Sequence, residues 1–159
     1  MSQQEKVILP LEETFLKSIG IKPTMRALDL ACGVGQTTLA LARYLTQGSV
    51  LGVDQSEEMI RRAQLSSDPS LSPRITFEVG QAECLAFESQ SFDFVYARLL
   101  FQHLAQPLQV LAEIKRILKP GGVVCLVDVD HRWASLYPEP ILFSEFFRAV
   151  GDRAAVFGG

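Results

Sequence analysis

Hydrophobic residues along the chain form either short, mostly apolar runs or segments with a helical spacing. Five such runs predict buried strands, at residues 25–30, 49–53, 75–79, 91–97 and 123–129. Apolar residues that recur every three or four positions predict helices, at residues 11–19, 36–45, 56–65, 108–118 and 140–150. Strands that alternate with helices form a parallel sheet through right-handed crossovers. The pattern therefore predicts an α/β fold, an open sheet flanked by helices.

Turn and capping residues mark the boundaries of these elements. Gly33 and Gly35 predict a turn directly after the first strand. Ser56 is a favourable N-cap for the helix that follows the second strand. The run Pro120-Gly121-Gly122 is expected to end the helix before the fifth strand. We expect the first eight residues to be frayed.

The length and net charge of the chain limit the classes of protein to which it can belong. The chain has 159 residues, about the length of one domain, and no internal repeat. Lys and Arg number 15 and Asp and Glu number 18, which gives a net charge of −3. This balance argues against nucleic acid or an anionic membrane as a partner. No apolar run approaches the roughly 18 residues that a membrane-spanning helix needs, and the N-terminal residues do not resemble a signal peptide.

The number and spacing of the cysteines indicate the redox state of the cellular compartment and whether a metal site is expected. Cys32, Cys84 and Cys125 are too far apart for a CxxC pair, and an odd number leaves a free thiol. We therefore expect a reduced, cytoplasmic protein without a disulfide framework and without a metal site.

The turn after the first strand and the end of the second strand carry the first chemical signal. Asp29 lies within the first apolar run, just before its last residue, and Gly33 and Gly35 let a ligand approach the backbone and a helix N-terminus. Asp54 follows 19 positions after Gly35, where its carboxylate can accept from both hydroxyls of a ribose. Taken singly, these features also fit a plain tight turn and a helix-capping Asp. Together they favour a ligand that contains ribose.

Two kinds of ribose cofactor fit this arrangement. A nicotinamide dinucleotide places its pyrophosphate on the helix N-terminus, and a third glycine lets helix and strand pack closely. Here Thr38 occupies that third position, and Asp29 would repel a pyrophosphate. A carboxylate at this place suits a cationic ligand, such as a sulfonium or an ammonium.

The run LDLACGVGQTT resembles the first motif of the class I S-adenosylmethionine-dependent methyltransferases. Four further motifs of that family have similar counterparts, in order, at residues 52–59, 80–87, 92–104 and 116–122. The resemblance covers about residues 10–130 and is nearest to the subgroup that methylates small molecules. It implies a Rossmann-like three-layer α/β/α sandwich, formed by the whole chain as a single methyltransferase domain.

The resemblance also implies S-adenosylmethionine as the cofactor and a role for each matching position. The turn after the first strand would hold the methionine end of the cofactor, through Asp29, Ala31, Cys32, Gly33 and Gly35. Asp54 would bind the ribose hydroxyls. Gln55 and Met59 would flank the adenine, Gln81 and Ala82 would touch its amino edge, and Ala97 and Arg98 would border the sulfonium.

Two positions depart from the family pattern. Ala31 stands where many relatives have glycine, and we expect cofactor binding to survive this single methyl group. Gln81 stands where relatives often have Asp. Its amide oxygen can accept from the adenine amino group, but without charge assistance, so we expect a lower affinity.

The sequence gives weaker evidence on which residues contact the methyl acceptor. A general base is needed only where the acceptor is a weak nucleophile. His103 is the candidate base, with a purely structural role as the alternative. Asp128, Asp130 and His131 are candidates for acceptor contact, with a solvated strand end as the alternative. Cys32 is expected to be a small buried residue and not a nucleophile.

The acceptor itself is expected to be a small molecule. The chain has neither the Asn-Pro-Pro-Tyr type of motif of nucleobase amino methyltransferases nor a Pro-Cys pair for attack on cytosine. The alternatives are a non-catalytic module that binds the cofactor or a partner, an NAD-dependent oxidoreductase and an aminopropyl transferase.

The C-terminal part is shorter than the family pattern. Family members usually add two more strands after the helix that follows the fifth strand, whereas 28 residues follow His131. We expect the usual last two strands to be lacking. The fifth strand would then be an exposed apolar edge through which two copies form a homo-oligomer.

Overall fold

The computed structural model describes residues 14–66 and 68–128, and the structural statements below concern this part of the chain. A sheet of five parallel strands forms its centre. Its strands are β1 (Arg26–Leu30), β2 (Ser49–Asp54), β3 (Ile75–Val79), β4 (Phe92–Arg98) and β5 (Leu118–Val127). The predicted parallel α/β sheet is confirmed.

The strand order is β3-β2-β1-β4-β5, so the chain first winds outward from β1 and then crosses to the other side of it. Leu30, at the end of β1, is paired with Val53 on one side and Ala97 on the other. In open α/β sheets, ligands bind outside the carboxyl ends of the strands at such a reversal. The fold therefore directs attention to the residues that follow β1, β2 and β4.

Helices cover both faces of the sheet. They are α1 (Gln36–Tyr44), α2 (Glu57–Leu65) and α3 (Pro107–Ile117), with a helical segment at residues 14–18 and short 3-10 turns at Ser72–Arg74 and Phe101–His103. The Ser56 hydroxyl accepts a hydrogen bond of 3.3 Å from the Met59 N–H, which confirms the predicted cap of α2. Gly35, the N-cap residue of α1, has no side chain to cap the first turn, and the Thr38 backbone in that turn interacts with the carboxyl of Asp29.

The alternation of side chains along the strands places hydrophobic clusters on both faces of the sheet. One packs α1 residues, such as Leu41 and Ala42, against Phe94 on one face of the sheet. The other packs α3 residues, such as Ile114, against Val95 on the opposite face. This is the three-layer α/β/α arrangement that the family resemblance implied.

The boundary between α3 and β5 differs from the prediction. The helix ends at Ile117, and β5 begins at Leu118 rather than at Val123. Leu118 already pairs with Phe92, and the register then shifts, so that Phe94 pairs with Val123. The intervening Pro120-Gly121-Gly122 run is therefore an irregularity within the strand, and Gly121 has a φ of 77° there. Pairing of Leu118 with β4 places the start of the strand before this run.

Several expectations lie outside the described residues: the frayed first eight residues, the helix at 140–150, Asp130, His131 and the missing last strands. Within the described part, β5 is an edge of the sheet, with Val124 and Leu126 exposed. Among the described helices, none is long and apolar enough to cross a membrane.

Candidate active site

The turn between β1 and α1 has a backbone that alternates into the left-handed region. The φ angles of Ala31, Gly33 and Gly35 are 61°, 54° and 80°. The Cys32 N–H donates to the Val53 carbonyl at 3.0 Å, which ties the turn to the end of β2. Among the described residues, no atom lies within 4 Å of where a Cβ of Gly33 would be, so the space beside this residue is open.

Asp54 joins this turn to the start of α2. Its Oδ2 accepts from the Gly33 N–H and its Oδ1 accepts from the Ser56 N–H, each at 2.9 Å. A carboxylate oxygen can accept more than one hydrogen bond, so both oxygens keep capacity for a ligand hydroxyl. Asp54 therefore braces the turn without capping α2, whose N-cap is Ser56, and this bracing is compatible with binding a ribose.

Asp29 is buried beneath the turn. Its side chain is on the face of the sheet that α1 covers, and the Thr38 hydroxyl donates to its Oδ2 at 2.6 Å. Burial raises the pKa of Asp29 from 3.8 to about 7, and the negative charge of Asp54 also raises it. The hydrogen bonds from Thr38 and the positive charge of Arg98 lower that pKa by less. Sequence reasoning missed Thr38 as the partner of Asp29.

The raised pKa of Asp29 makes folding stability depend on pH. Between about pH 4 and pH 7 the folded state retains a proton that the unfolded chain has lost, because the pKa of Asp29 rises from 3.8 to about 7 on folding. The contribution of Asp29 to the free energy of unfolding should therefore fall as pH rises through this window, by at most about 1.4 kcal/mol per pH unit. Asp29→Asn should remove this slope. Urea unfolding of both proteins across the window measures it, and parallel pH profiles would contradict the prediction.

Phe77 supports the glycine turn from β3, a role that sequence reasoning missed. A Cβ on Gly35 would lie 2.7 Å from the Phe77 ring. A Cβ on Gly52, in β2, would lie 2.7 Å from the same ring and 2.9 Å from the Thr38 hydroxyl. The Phe77 ring therefore leaves no room for a side chain at either glycine. No local sequence pattern predicts this contact, because the three residues lie in three different parts of the fold.

Cys32 is buried, as predicted. Burial, and to a lesser extent the negative charges of Asp29 and Asp54, raise the pKa of its thiol to about 12. At neutral pH the group is a neutral thiol, which is a poor nucleophile. This agrees with the expectation that it packs and does not react.

The residues expected around the adenine lie after β2 and β3. Gln55 and Gln81 are exposed, while Met59 and Ala82 are partly buried. The Gly80 N–H donates to the Asp54 carbonyl at 3.0 Å, which brings the end of β3 beside the end of β2. The fold thus places these four residues along the same edge of the sheet as Asp54.

The residues after β4 form the other side of this edge. Ala97 is buried and Arg98 is exposed, and the charge of Arg98 acts on the buried Asp29. Leu99 has a φ of 55° and its N–H donates to the Val127 carbonyl at 2.7 Å. A left-handed leucine is an unfavourable conformation that the surrounding structure must enforce.

The structure brings two of the candidate acceptor residues close together in the fold. His103 is exposed at the end of a 3-10 turn, and the neighbouring Gln102 N–H donates to Asp128 Oδ2 at 3.1 Å. Residues 14–66 and 68–128 contain no group of three or more His, Cys, Asp or Glu side chains that could hold a metal ion.

Ala31 offers a test of backbone strain at the site. Its φ of 61° is in the region that glycine adopts without a steric penalty. Ala31→Gly should therefore raise the free energy of unfolding by about 0.5–1 kcal/mol in a urea titration. The same change at Ala27, buried within β1, should lower it. A destabilised Ala31→Gly protein would show that the left-handed turn is not strained.

Comparison with known proteins identifies this arrangement. A family model described as a methyltransferase domain matches residues 28–126, more than half of the chain. The crystal structure of an S-adenosylmethionine-dependent methyltransferase from Aquifex aeolicus has a TM-score of 0.71 and 26% identity, over 80% of this chain and 69% of that chain. The chain belongs to the S-adenosylmethionine-dependent methyltransferase family.

Curated relatives of this methyltransferase domain are longer. An uncharacterised methyltransferase of Schizosaccharomyces pombe is 34% identical over 125 residues, which cover 75% of this chain and 45% of that protein. A demethylmenaquinone methyltransferase of Lysinibacillus sphaericus is 37% identical over 136 residues, which cover 85% of this chain and 56% of that protein. The chain thus spans about half the length of the curated relatives it matches.

Proposed function

We propose that this protein transfers the methyl group of S-adenosylmethionine to a small-molecule acceptor. The observation that supports this most directly is Asp54, which has one backbone donor on each oxygen and stands beside an open glycine turn. A carboxylate in this position fits the two hydroxyls of a ribose. Thr38, which is buried and bonded to Asp29, stands where a dinucleotide fold has its third glycine, and this disfavours the dinucleotide alternative.

The residues present fit the cofactor along its whole length. The turn at Ala31, Cys32, Gly33 and Gly35 would hold the methionine end, with Asp29 beneath it. Gln55, Met59, Gln81 and Ala82 would hold the adenine, and Ala97 and Arg98 would border the sulfonium. Bound S-adenosylmethionine supplies an already activated methyl group. The protein's own task is therefore to hold donor and acceptor in line at reactive distance.

The end of β4 and β5 would supply the acceptor side. His103 is the candidate base for an acceptor that must lose a proton, and it is exposed beside the segment that Asp128 holds. The match to a demethylmenaquinone methyltransferase supports a small organic acceptor. The net charge of −3 supports the exclusion of nucleic acid.

We also propose that the chain forms a single domain and is cytoplasmic. All three cysteines are free, which is usual in a reducing compartment. Pairing of two copies through the exposed edge of β5 stays a prediction, and light scattering at high concentration would test it.

Calorimetric titration of the purified chain with S-adenosylhomocysteine, the product of methyl transfer, tests the proposed cofactor. We expect micromolar affinity and no binding of NAD as the control. Selective binding of NAD would overturn the proposal. Binding of S-adenosylhomocysteine without transfer to any of a panel of small acceptors would instead favour a non-catalytic cofactor-binding module.

A further inference from the structure

The segment at residues 83–87, which follows the proposed adenine-side residues, is fastened to α3 through its main chain. Four hydrogen bonds run between its backbone and three side chains of the helix. Gln109 donates to the Glu83 carbonyl at 3.1 Å, and Glu113 accepts from the Leu85 N–H at 2.9 Å. Arg116 donates to the Leu85 carbonyl at 2.8 Å and to the Phe87 carbonyl at 2.6 Å.

Arg116 and Glu113 are themselves held as a pair. The Arg116 Nε donates to Glu113 Oε1 at 2.9 Å and its Nη2 donates to Oε2 at 2.8 Å. The two side chains are 34% and 20% exposed, so solvent competes only in part. The guanidinium is a rigid fork, and only such a group can bridge the carboxylate and two carbonyls at once. The pair is therefore a fixed docking point and not a mobile surface ion pair.

The proposed adenine-side residues lie between this docking point and the end of β3. On one side, the Gly80 N–H is bonded to the Asp54 carbonyl at 3.0 Å. On the other, the Cys84 N–H is bonded to the Gln81 carbonyl at 3.2 Å, and Leu85 is buried. The backbone of Gln81 and Ala82 is thus set from both sides.

The Ala82 N–H makes no hydrogen bond within residues 14–66 and 68–128 and is free to donate to a ligand. The Watson–Crick edge of adenine offers an amino donor and a ring-nitrogen acceptor. The Gln81 amide oxygen and the Ala82 N–H are the matching groups. Their spacing depends on where the backbone of residues 81–84 is held.

We propose that Arg116 and Glu113 are positioning residues for recognition of the adenine. They act through the backbone of residues 83–87 and do not touch the cofactor. This inference rests on the proposed function, since it assumes that an adenosyl cofactor occupies the site.

The test compares S-adenosylhomocysteine with S-inosylhomocysteine by calorimetry. Hypoxanthine exchanges the donor and acceptor positions of the recognised edge, and a main-chain N–H cannot turn to match it. Wild-type protein should prefer the adenine ligand by about tenfold, about 1.4 kcal/mol. Arg116→Gln should weaken S-adenosylhomocysteine about tenfold and leave S-inosylhomocysteine nearly unchanged, so that the preference disappears.

Arg74→Gln is the matched control. Arg74 also donates to two main-chain carbonyls, those of Ala42 and Leu45, but it precedes β3, whereas the adenine-side residues follow it. This variant should lose stability and keep the preference for adenine. An unchanged preference in Arg116→Gln, or an equal loss in both variants, would overturn the inference.

A milder variant keeps the inference testable if the Arg116→Gln protein does not fold. Gln109→Ala removes a single exposed hydrogen bond to Glu83 and should reduce the adenine preference about twofold without unfolding the protein. No change in this variant, together with an unfolded Arg116→Gln protein, would assign the pair a structural role and reject the inference. Failure of wild-type protein to bind S-adenosylhomocysteine would instead reject the proposed function itself.

Discussion

Gly35→Ala should lower the free energy of unfolding by about 2–4 kcal/mol, the sum of two separate penalties. The φ of 80° at Gly35 is in the left-handed region, which disfavours any side chain. The new Cβ would also lie 2.7 Å from the buried Phe77 ring, which cannot move away freely because it packs among Cys32, Ile60 and Ala63. Urea denaturation measures the loss.

Gly33→Ala separates the two penalties. Gly33 has a φ of 54°, but no described atom lies within 4 Å of its Cβ position, so this variant meets the backbone penalty alone. We expect a loss of about 1 kcal/mol. In the double variant Gly35→Ala/Phe77→Leu the penalties should be non-additive by about 1 kcal/mol or more, because the smaller side chain leaves room for the methyl group. Equal losses for the two glycine variants would show that the ring does not limit Gly35.

Asp54→Ala should reduce the affinity for S-adenosylhomocysteine by about 2–3 kcal/mol, or about 30- to 150-fold. The change removes the acceptor proposed for the ribose hydroxyls. It also removes the acceptor of the Gly33 N–H, at 2.9 Å, and so loosens the turn that holds the methionine end. Calorimetric titration of the folded variant measures the loss. An unchanged affinity would contradict the assignment of Asp54 as the residue that binds the ribose hydroxyls.

Asp68→Ala is the matched control for that experiment. Asp68 accepts from the N–H two residues ahead, that of Ser70, at 2.9 Å, as Asp54 does from Ser56. It lies in the connection between α2 and β3, away from the carboxyl ends of the strands. The control variant should therefore keep the wild-type affinity, which would separate loss of ligand contact from loss of a local turn.

Much of the fold was predictable because the signals are local. The apolar run at residues 75–79 became a strand with those bounds, and the Ser56 cap was found where its residue type suggested. The start of β5 was not predictable in this way. Pro120-Gly121-Gly122 is a strong local turn signal, yet the pairing of Leu118 with Phe92 draws the segment into the sheet.

The residues of the candidate site also fall into those that local sequence signals predict and those that depend on tertiary packing. Asp54 and the glycine turn could be proposed from spacing, since a strand end followed by a turn has a fixed geometry. Thr38 was seen only as a departure from a glycine pattern. Its function as donor to Asp29 depends on how α1 packs on β1, which nothing near either residue encodes.

Periodicity and spacing along the chain were enough to predict the parallel α/β sheet, the edge of the sheet at which a ligand would bind and Asp54 as the ribose-binding candidate. These follow from periodicities that backbone geometry imposes on neighbouring residues. Three features became visible only once the elements were packed together: Phe77 excludes side chains at Gly35 and Gly52, burial raises the pKa of Asp29 to about 7, and Arg116 fastens residues 83–87. Steric contact, desolvation and directed hydrogen bonds depend on distances between residues far apart in the chain, and those distances are set only when the elements pack.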